Sequence, residues 1–301
     1  MGVLHEFRIP VPLTADEFQR GQLYMTARVS SEATAGDEGI EWLANEPYDN
    51  TDGAAPLSRY TGTPVPRGRG QYTLKRLLLR SKVPALVRHL VPADALFLVE
   101  EAWNAYPHCT TVLVNGYLDK ARFRIVVETL HVDGDAELDN ALRLAPDELA
   151  RRRVEYVDVR SAAAHAPGHK DYKPHEDVTR FKSAVTGRGP LSGERWWARL
   201  APPTPLMCAY KLVRAEFRYF GLQSAVEGLV LSSQRELFAR THARTVCSMD
   251  EWLPLSMADV RRLEAETAAS AQAALDKVVA ASASIDGGAH GEAAEAPAPA
   301  R

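Results

Sequence analysis

Glu101-Ala-Trp-Asn-Ala-Tyr-Pro107 and, one residue further on, Cys109-Thr-Thr-Val-Leu-Val-Asn115 form the centre of a stretch, Gln71 to His131, that holds four segments of strand-like composition. The two-residue period of a strand puts Thr73, Lys75, Leu77 and Leu79 on one face and Tyr72, Leu74, Arg76 and Leu78 on the other. The same period groups Leu96, Leu98, Glu100, Ala102 and Asn104, then Cys109, Thr111, Leu113 and Asn115, then Phe123, Ile125, Val127 and Thr129. Closely spaced strands joined by short turns predict an antiparallel sheet. Polar and basic groups on otherwise apolar faces predict a cavity, because a buried unpaired polar group costs roughly 1–3 kcal/mol and a plain core gains nothing from it.

Upstream, Leu4 to Leu13 reads as a strand, and Thr14-Ala-Asp-Glu17 is a capping box opening a helix on which Phe18, Gln22 and Met25 share the inward stripe. Gly39 to Tyr48 predicts a second strand. The Pro-, Gly- and Arg-rich span 49–70 reads as a loop insertion with the composition of a disordered segment.

Downstream, residues 146–153 predict a short helix and 154–159 a strand, followed by an extended surface loop over 161–195. Met207 to Phe220 predicts a long strand on which Lys211 interrupts an apolar face between Ala209 and Val213. A helix from Gly221 to Cys247 takes Leu222, Val226, Leu229 or Val230, Ser233 and Leu237 as its stripe. Ser256 caps a last helix with Asp259 at its third position; Val260, Leu263, Thr267 and Ala271 form the stripe, with Glu264 inside it. The alanine-rich tail 282–301 reads as disordered low-complexity chain, leaving 1–281 as one domain.

The 301 residues are 46% hydrophobic with a net charge of −3, which excludes a generally basic nucleic-acid binder and points to no nucleic-acid partner. Yet no Asp or Glu occurs between Gly53 and Pro92, a run with eight Lys or Arg residues, among them Arg59, Arg67, Arg69, Lys75 and Arg76. Either this face meets anionic phosphates, or it is a solvated loop beside the wet side of a strand. Apolar runs fall short of the roughly 20 residues a bilayer helix needs. Met1 to Glu6 lacks a signal-peptide pattern, and three cysteines are too few for a disulfide framework, so the expected location is the cytoplasm.

The inward-facing polar set is Gln22, Thr73, Lys75, Asn104, Thr111, Asn115, Thr129, Lys211 and Glu264. Hydroxyls, amides and lysines suit a phosphodiester, and an amide with a carboxylate suits a polyhydroxylated ring. His165, His169 and His175, with Asp171 and Glu176, have no ligand spacing on a rigid element, so no metal is expected. Trp196-Trp197 suits a short amphipathic helix with one ring in the core.

Several motifs carry a family resemblance: Gly21-Gln-Leu-Tyr24, Asn45-Glu-Pro-Tyr48, Gln71-Tyr-Thr-Leu-Lys75, Ser81-Lys-Val-Pro84, Ala102-Trp-Asn-Ala-Tyr-Pro107, Thr186-Gly-Arg-Gly-Pro-Leu191, Met207-Cys-Ala-Tyr-Lys-Leu212 and Asp259-Val-Arg-Arg-Leu-Glu264. From about Leu4 to Thr267 the chain resembles class I, single-domain phosphatidylinositol transfer proteins. The resemblance implies an α+β, helix-grip, START-like fold: a concave antiparallel sheet closed by two long helices around one phospholipid. It implies inositol contacts at Thr73, Lys75, Asn104 and Glu264, and phosphate contacts at Gln22, Thr111, Thr129 and Lys211. Cys109 matches a cavity thiol, and Ser183, in the regulatory loop 161–195, matches a proposed phosphorylation site. The family's membrane-docking tandem tryptophan aligns with Tyr219 and Phe220.

The implied cargo is phosphatidylinositol or phosphatidylcholine, with no other cofactor. The protein is expected to be a cytoplasmic monomer that visits membranes transiently, with a phosphoinositide kinase as a further partner. No Gly-x-Ser-x-Gly elbow, phosphate-cradling loop or His-Glu-x-x-His motif points to an enzyme. The runner-up readings are a lipid sensor or presenter for such a kinase and, more remotely, a START-like enzyme.

Overall fold

The computed structural model describes residues 2–34, 40–53, 56–78, 97–115, 117–118, 122–161, 169, 172–267, 269–270 and 273. It is a mixed α+β protein built on one sheet of eight strands: β1 (Val3–Val11), β2 (Ile40–Asp49), β3 (Arg69–Leu78), β4 (Phe97–Ala105), β5 (His108–Asn115), β6 (Phe123–Asp133), β7 (Arg153–Tyr156) and β8 (Met207–Phe217). Their order across the sheet is β2-β3-β4-β5-β6-β8-β1-β7. Every pairing is antiparallel except β1 with β7 at one edge. The helices are α1 (Ala15–Thr34), α2 (Pro146–Arg151), α3 (Gln223–Cys247), α4 (Met249–Trp252) and α5 (residues 257–267).

Both predicted capping boxes form. Thr14 N–H donates to Glu17 Oε2 at 2.9 Å, while Glu17 N–H donates to Thr14 Oγ1 at 3.1 Å. Ser256 and Asp259 make the same reciprocal pair at 3.0 and 3.1 Å. These bonds satisfy amide donors that helix starts leave open, which is why α1 and α5 begin where they do.

The main core lies where β1, β6 and β8 meet α1, α3 and α4. Phe7, Ile9, Ile125, Val127, Ala209, Val213 and Phe217 alternate toward Phe18, Phe238, Ala243 and Trp252. The buried stripe of α3 differs from the sequence expectation. Leu237 is half-exposed and Ser233 exposed, whereas Phe238 and His242 are buried. Phe238 is the larger ring one position on, and taking it inward rotates the lower part of the stripe.

One expectation about loops is corrected. The described part of the span 49–70 is packed: Asn50 holds Pro66 O and Gly68 N–H at 3.0 and 2.7 Å, and Leu57 bridges Pro64. It covers the outer face of β3–β6 with a second core of Val65, Tyr72, Leu74, Val99, Trp103, Val112, Val114 and Val126. Ser58 Oγ donates to Glu101 Oε2 at 2.5 Å, and Tyr72 Oη to Glu101 Oε1 at 3.1 Å. Glu101 is 1% exposed, so these donors supply the solvation that burial removes.

The described part of 161–195 is exposed at most positions, as a surface loop is, but buried side chains anchor it. Val178 and Leu191 join the main core, Glu176 pairs with Arg244 at 3.1 Å, and the Ser183 hydroxyl is buried against Asp250. Trp196 and Trp197 form a 3-10 turn with both rings buried, where the sequence predicts one inside.

Candidate functional site

Strand register turns the polar residues into transverse rows. One row runs Gln71, Asn104, Cys109, Thr129, Lys211 across β3, β4, β5, β6 and β8. The next runs Asn45, Thr73, Ala102, Thr111, Val127, and the third runs Trp42, Lys75, Glu100, Leu113. Residues far apart in the chain thus become neighbours through pairing alone, which is why the strand phases have to agree for a site to exist.

A cavity of about 200 Å³ opens between these rows, α1 and α5. Thr73, Lys75, Asn104, Cys109 and Thr111 line it from the sheet, Leu23, Thr26 and Ala27 from α1, and Arg261, Glu264 and Thr267 from α5. Asn45, Gln71 and Glu100 complete its polar lining, and the inward-facing set read from the sequence omits them. Glu100 shares the strand face of Ala102 and Asn104, a signal the two-residue period already carries.

Lys75 Nζ lies 3.1 Å from Glu100 Oε1 and 4.5 Å from the centre of the Trp42 ring. Glu264 pairs with Arg261 at 2.9 Å. Burial raises the Glu264 carboxyl above the ordinary carboxylate range, against the pull of Arg261 and Lys75. Burial also raises the Cys109 thiol, whose Sγ lies 3.9 Å from Thr111 Oγ1.

Thr129 and Lys211 sit deeper along the first row and do not line the cavity; Lys211 Nζ donates to Thr129 Oγ1 at 3.4 Å. Burial pushes the Lys211 ammonium down to about 8. Gln22 is half-buried beside the lining residue Leu23 but does not itself bound the cavity. Asn115 is corrected: its Oδ1 accepts from the Tyr117 and Leu118 amides at 2.9 Å and its Nδ2 donates to Phe97 O at 2.7 Å, so it holds a turn.

At the strand ends near that turn, Phe220 projects fully into solvent, while Tyr219 packs on Phe217 with ring centres 4.9 Å apart. Among the described residues of the acid-free run, Arg59 meets Glu101, Arg69 Asp49 and Arg76 Glu41, so these three are not free cations. Arg80, Lys82 and Arg88 lie outside the described residues, as do His165 and Asp171. Among the described residues no three His, Cys, Asp or Glu groups are placed to hold a metal, and no helix is long and apolar enough to cross a membrane.

Fold and site together define a ligand-binding α+β protein whose cavity is floored by a sheet and roofed by helices. The sequence model of the family described as phosphatidylinositol transfer protein matches residues 2–269, and the chain belongs to that family. It is 39% identical over 265 residues to phosphatidylinositol transfer protein 1 of Dictyostelium discoideum, covering 88% of this chain and 92% of the relative. It is 40% identical over 269 residues to the human phosphatidylinositol transfer protein beta isoform, covering 89% and 92%. A mouse membrane-associated phosphatidylinositol transfer protein 1 is 41% identical over 269 residues, which make up 20% of that longer chain.

Proposed function

We propose that this protein carries one phosphatidylinositol or phosphatidylcholine molecule between membranes, in a START-like, helix-grip arrangement of sheet, α1, α3 and α5. The observation that carries the reading is convergence: Thr73, Lys75, Asn104 and Glu264, from two strands and the last helix, all line one cavity. Hydroxyl, ammonium, amide and carboxylate together can donate to and accept from the hydroxyls of an inositol ring.

The volume of about 200 Å³ is below the roughly 300–1,000 Å³ of drug-sized pockets, which suits a headgroup and not a whole phospholipid. Loading therefore includes movement of α1 and α5 away from the sheet, and Phe220 offers the apolar contact that would hold the opened protein at a bilayer. The cargo shields its chains inside because each methylene left in water costs about 0.8 kcal/mol. Cargo exchange would take place while the protein rests transiently on a membrane from the cytoplasmic side.

The state of the thiol argues against a cysteine nucleophile. Such a group needs a lowered value and an adjacent base, whereas burial raises the Cys109 thiol and, among the described residues, no histidine lines the cavity.

Mass spectrometry of lipid co-purified with the full chain, paired with a vesicle-to-vesicle transfer assay, tests the proposal. Bound phosphatidylinositol or phosphatidylcholine with transfer is the expected result. Bound lipid without transfer would favour a sensor that presents lipid to a kinase, and a chain that captures no phospholipid would sink both readings.

A further inference from the structure

Beyond the cavity, the inner end of the same sheet face holds a second group of polar side chains that the headgroup assignment does not use. His131 and His242 are 3% and 4% exposed. Each turns Nδ1 to a backbone carbonyl: His131 to Pro107 O at 3.3 Å, His242 to Phe238 O at 2.7 Å. A ring nitrogen facing a carbonyl carries the hydrogen, so in each neutral imidazole Nε2 is a bare acceptor. Among the described residues neither of these buried Nε2 atoms has a partner. Native structures leave few buried polar atoms unsatisfied, and two rings sharing this fault on one surface call for a common cause.

That surface is shared with Lys211. Thr129, which accepts from Lys211 Nζ, precedes His131 by two residues on one face of β6. Phe238, whose ring centre lies 5.0 Å from Lys211 Nζ, precedes His242 by one turn of α3. The Phe18 ring bridges the two imidazoles, at 4.9 Å from His131 and 5.1 Å from His242. The groups facing His131 are Phe18 of α1, Tyr106 after β4, His108 of β5, Lys211 of β8 and His242 of α3. Those facing His242 are Phe18, Lys211, His131 and the Phe238 carbonyl. None of these is a carboxylate. Lys211 and the two orphaned imidazoles therefore lie around the Phe18 and Phe238 rings, with no carboxylate among the described groups that face them.

We infer that His131 and His242 are further phosphate-binding residues, which receive the phosphodiester of the cargo beside Lys211 and Thr129 and take up a proton as it enters. The inference rests on the phospholipid-carrier reading and adds residues and a proton to its phosphate site. The step balances simply. Because Nδ1–H is already committed to a carbonyl, Nε2 can donate to a phosphate oxygen only by gaining a proton from water; the ring becomes imidazolium, and no bond to phosphorus changes. Burial first and Lys211 second hold both rings neutral, His242 down to about 3 and His131 well below the ordinary imidazole value. An arriving anion neutralises Lys211 and offsets the cost of a buried imidazolium, so proton uptake and lipid uptake favour one another. The phosphate is common to inositol and choline lipids, so the coupling raises retention of both.

Calorimetric titration of the full, delipidated chain with short-chain phosphatidylinositol, in two buffers of different ionisation enthalpy, counts the protons. About half to one proton is expected to be taken up per lipid near pH 6.5, with the same count for short-chain phosphatidylcholine. The double variant His131→Gln, His242→Gln should lose most of that uptake. It should also bind both lipids about tenfold more weakly at pH 6, a charged hydrogen bond's worth, with the inositol-to-choline preference unchanged.

Lipid binding without proton uptake, or uptake that survives in the double variant, overturns this inference and leaves lipid carriage standing. Failure to bind either lipid overturns carriage and the inference together. Inorganic phosphate alone is the control for the source of the anion: equal uptake from it would make this a free-anion site and overturn the lipid assignment. If the double variant does not fold, imidazole nitrogen resonances of the wild-type chain decide. Conversion of two buried rings to imidazolium on loading supports the assignment, and unchanged neutral rings refute it.

Discussion

Lys75 and Glu100 face each other across the β3–β4 pairing with Nζ and Oε1 3.1 Å apart, inside the cavity and only 14% and 22% exposed. An ion pair in that position neutralises the floor while leaving a cation and an anion within reach of a ring of hydroxyls. The headgroup assignment therefore has a sharp consequence. Thr73→Ala or Lys75→Ala should reduce phosphatidylinositol transfer by about tenfold or more, the scale of one or two lost hydrogen bonds to a charged group, and spare phosphatidylcholine transfer. Vesicle assays with each lipid read this directly, and equal loss of both would show the headgroup placed elsewhere.

Lys211 is expected to trade stability for binding. Burial depresses its ammonium to about 8 from an ordinary 10.5, so the unfolded chain binds the extra proton between those values. Stability of the empty protein should then rise as the pH climbs from about 8 to about 10.5, and below about 8 the full cost of the buried charge is present. Lys211→Met should stabilise the empty chain at pH 7 by about 1–3 kcal/mol and flatten that rise, while weakening capture of both phospholipids. Urea melts at a series of pH values, with lipid binding measured in parallel, test the two halves together.

The hydroxyl of Ser58 is one of the donors that make a buried carboxylate tolerable. Replacing it in Ser58→Ala leaves Glu101 Oε2 without the hydroxyl 2.5 Å away. A loss of about 1–3 kcal/mol of stability is expected. The partner change Glu101→Gln should cost less when combined with it than the two single losses added, because both remove one interaction. Additive losses in a double-mutant cycle would show the contact to be incidental.

The Phe220 side chain is fully exposed. Phe220→Ala should leave the melting temperature unchanged and lower vesicle association, with the roughly 1.5–3 kcal/mol that burying such a ring supplies setting a loss of tenfold or more. Sedimentation with phospholipid vesicles measures it, and unaltered partitioning would remove Phe220 from the docking surface.

Much of this site can be read in the chain because strand periodicity is strict. Counting in twos places Thr73, Lys75, Asn104 and Thr111 inward, and the sheet brings all four to one cavity. Asn115 obeys the same count and still fails as a ligand, since it sits at the strand's end, where open amides compete for its side chain. Helices are harder. On α3 the 3.6-residue period allows either Leu237 or Phe238 to continue the stripe from Val226, and choosing Leu237 leaves His242 off the buried face; the buried imidazole follows only once Phe238 points inward. The fold of 49–70 is invisible in the sequence because its order comes from contacts such as Ser58 with Glu101, distant in the chain, and local composition carries no trace of them.

That segment has a bearing on what happens between deliveries. The strands β3 and β4 give their inner face to the cavity, and a sheet that depended on its cargo for packing would come apart each time the cargo left. Val65, Tyr72, Leu74, Val99 and Trp103 pack on the opposite face instead. The hydrophobic anchoring of these strands is thereby placed on the side turned away from the cavity, so the sheet keeps its register whatever the cavity holds.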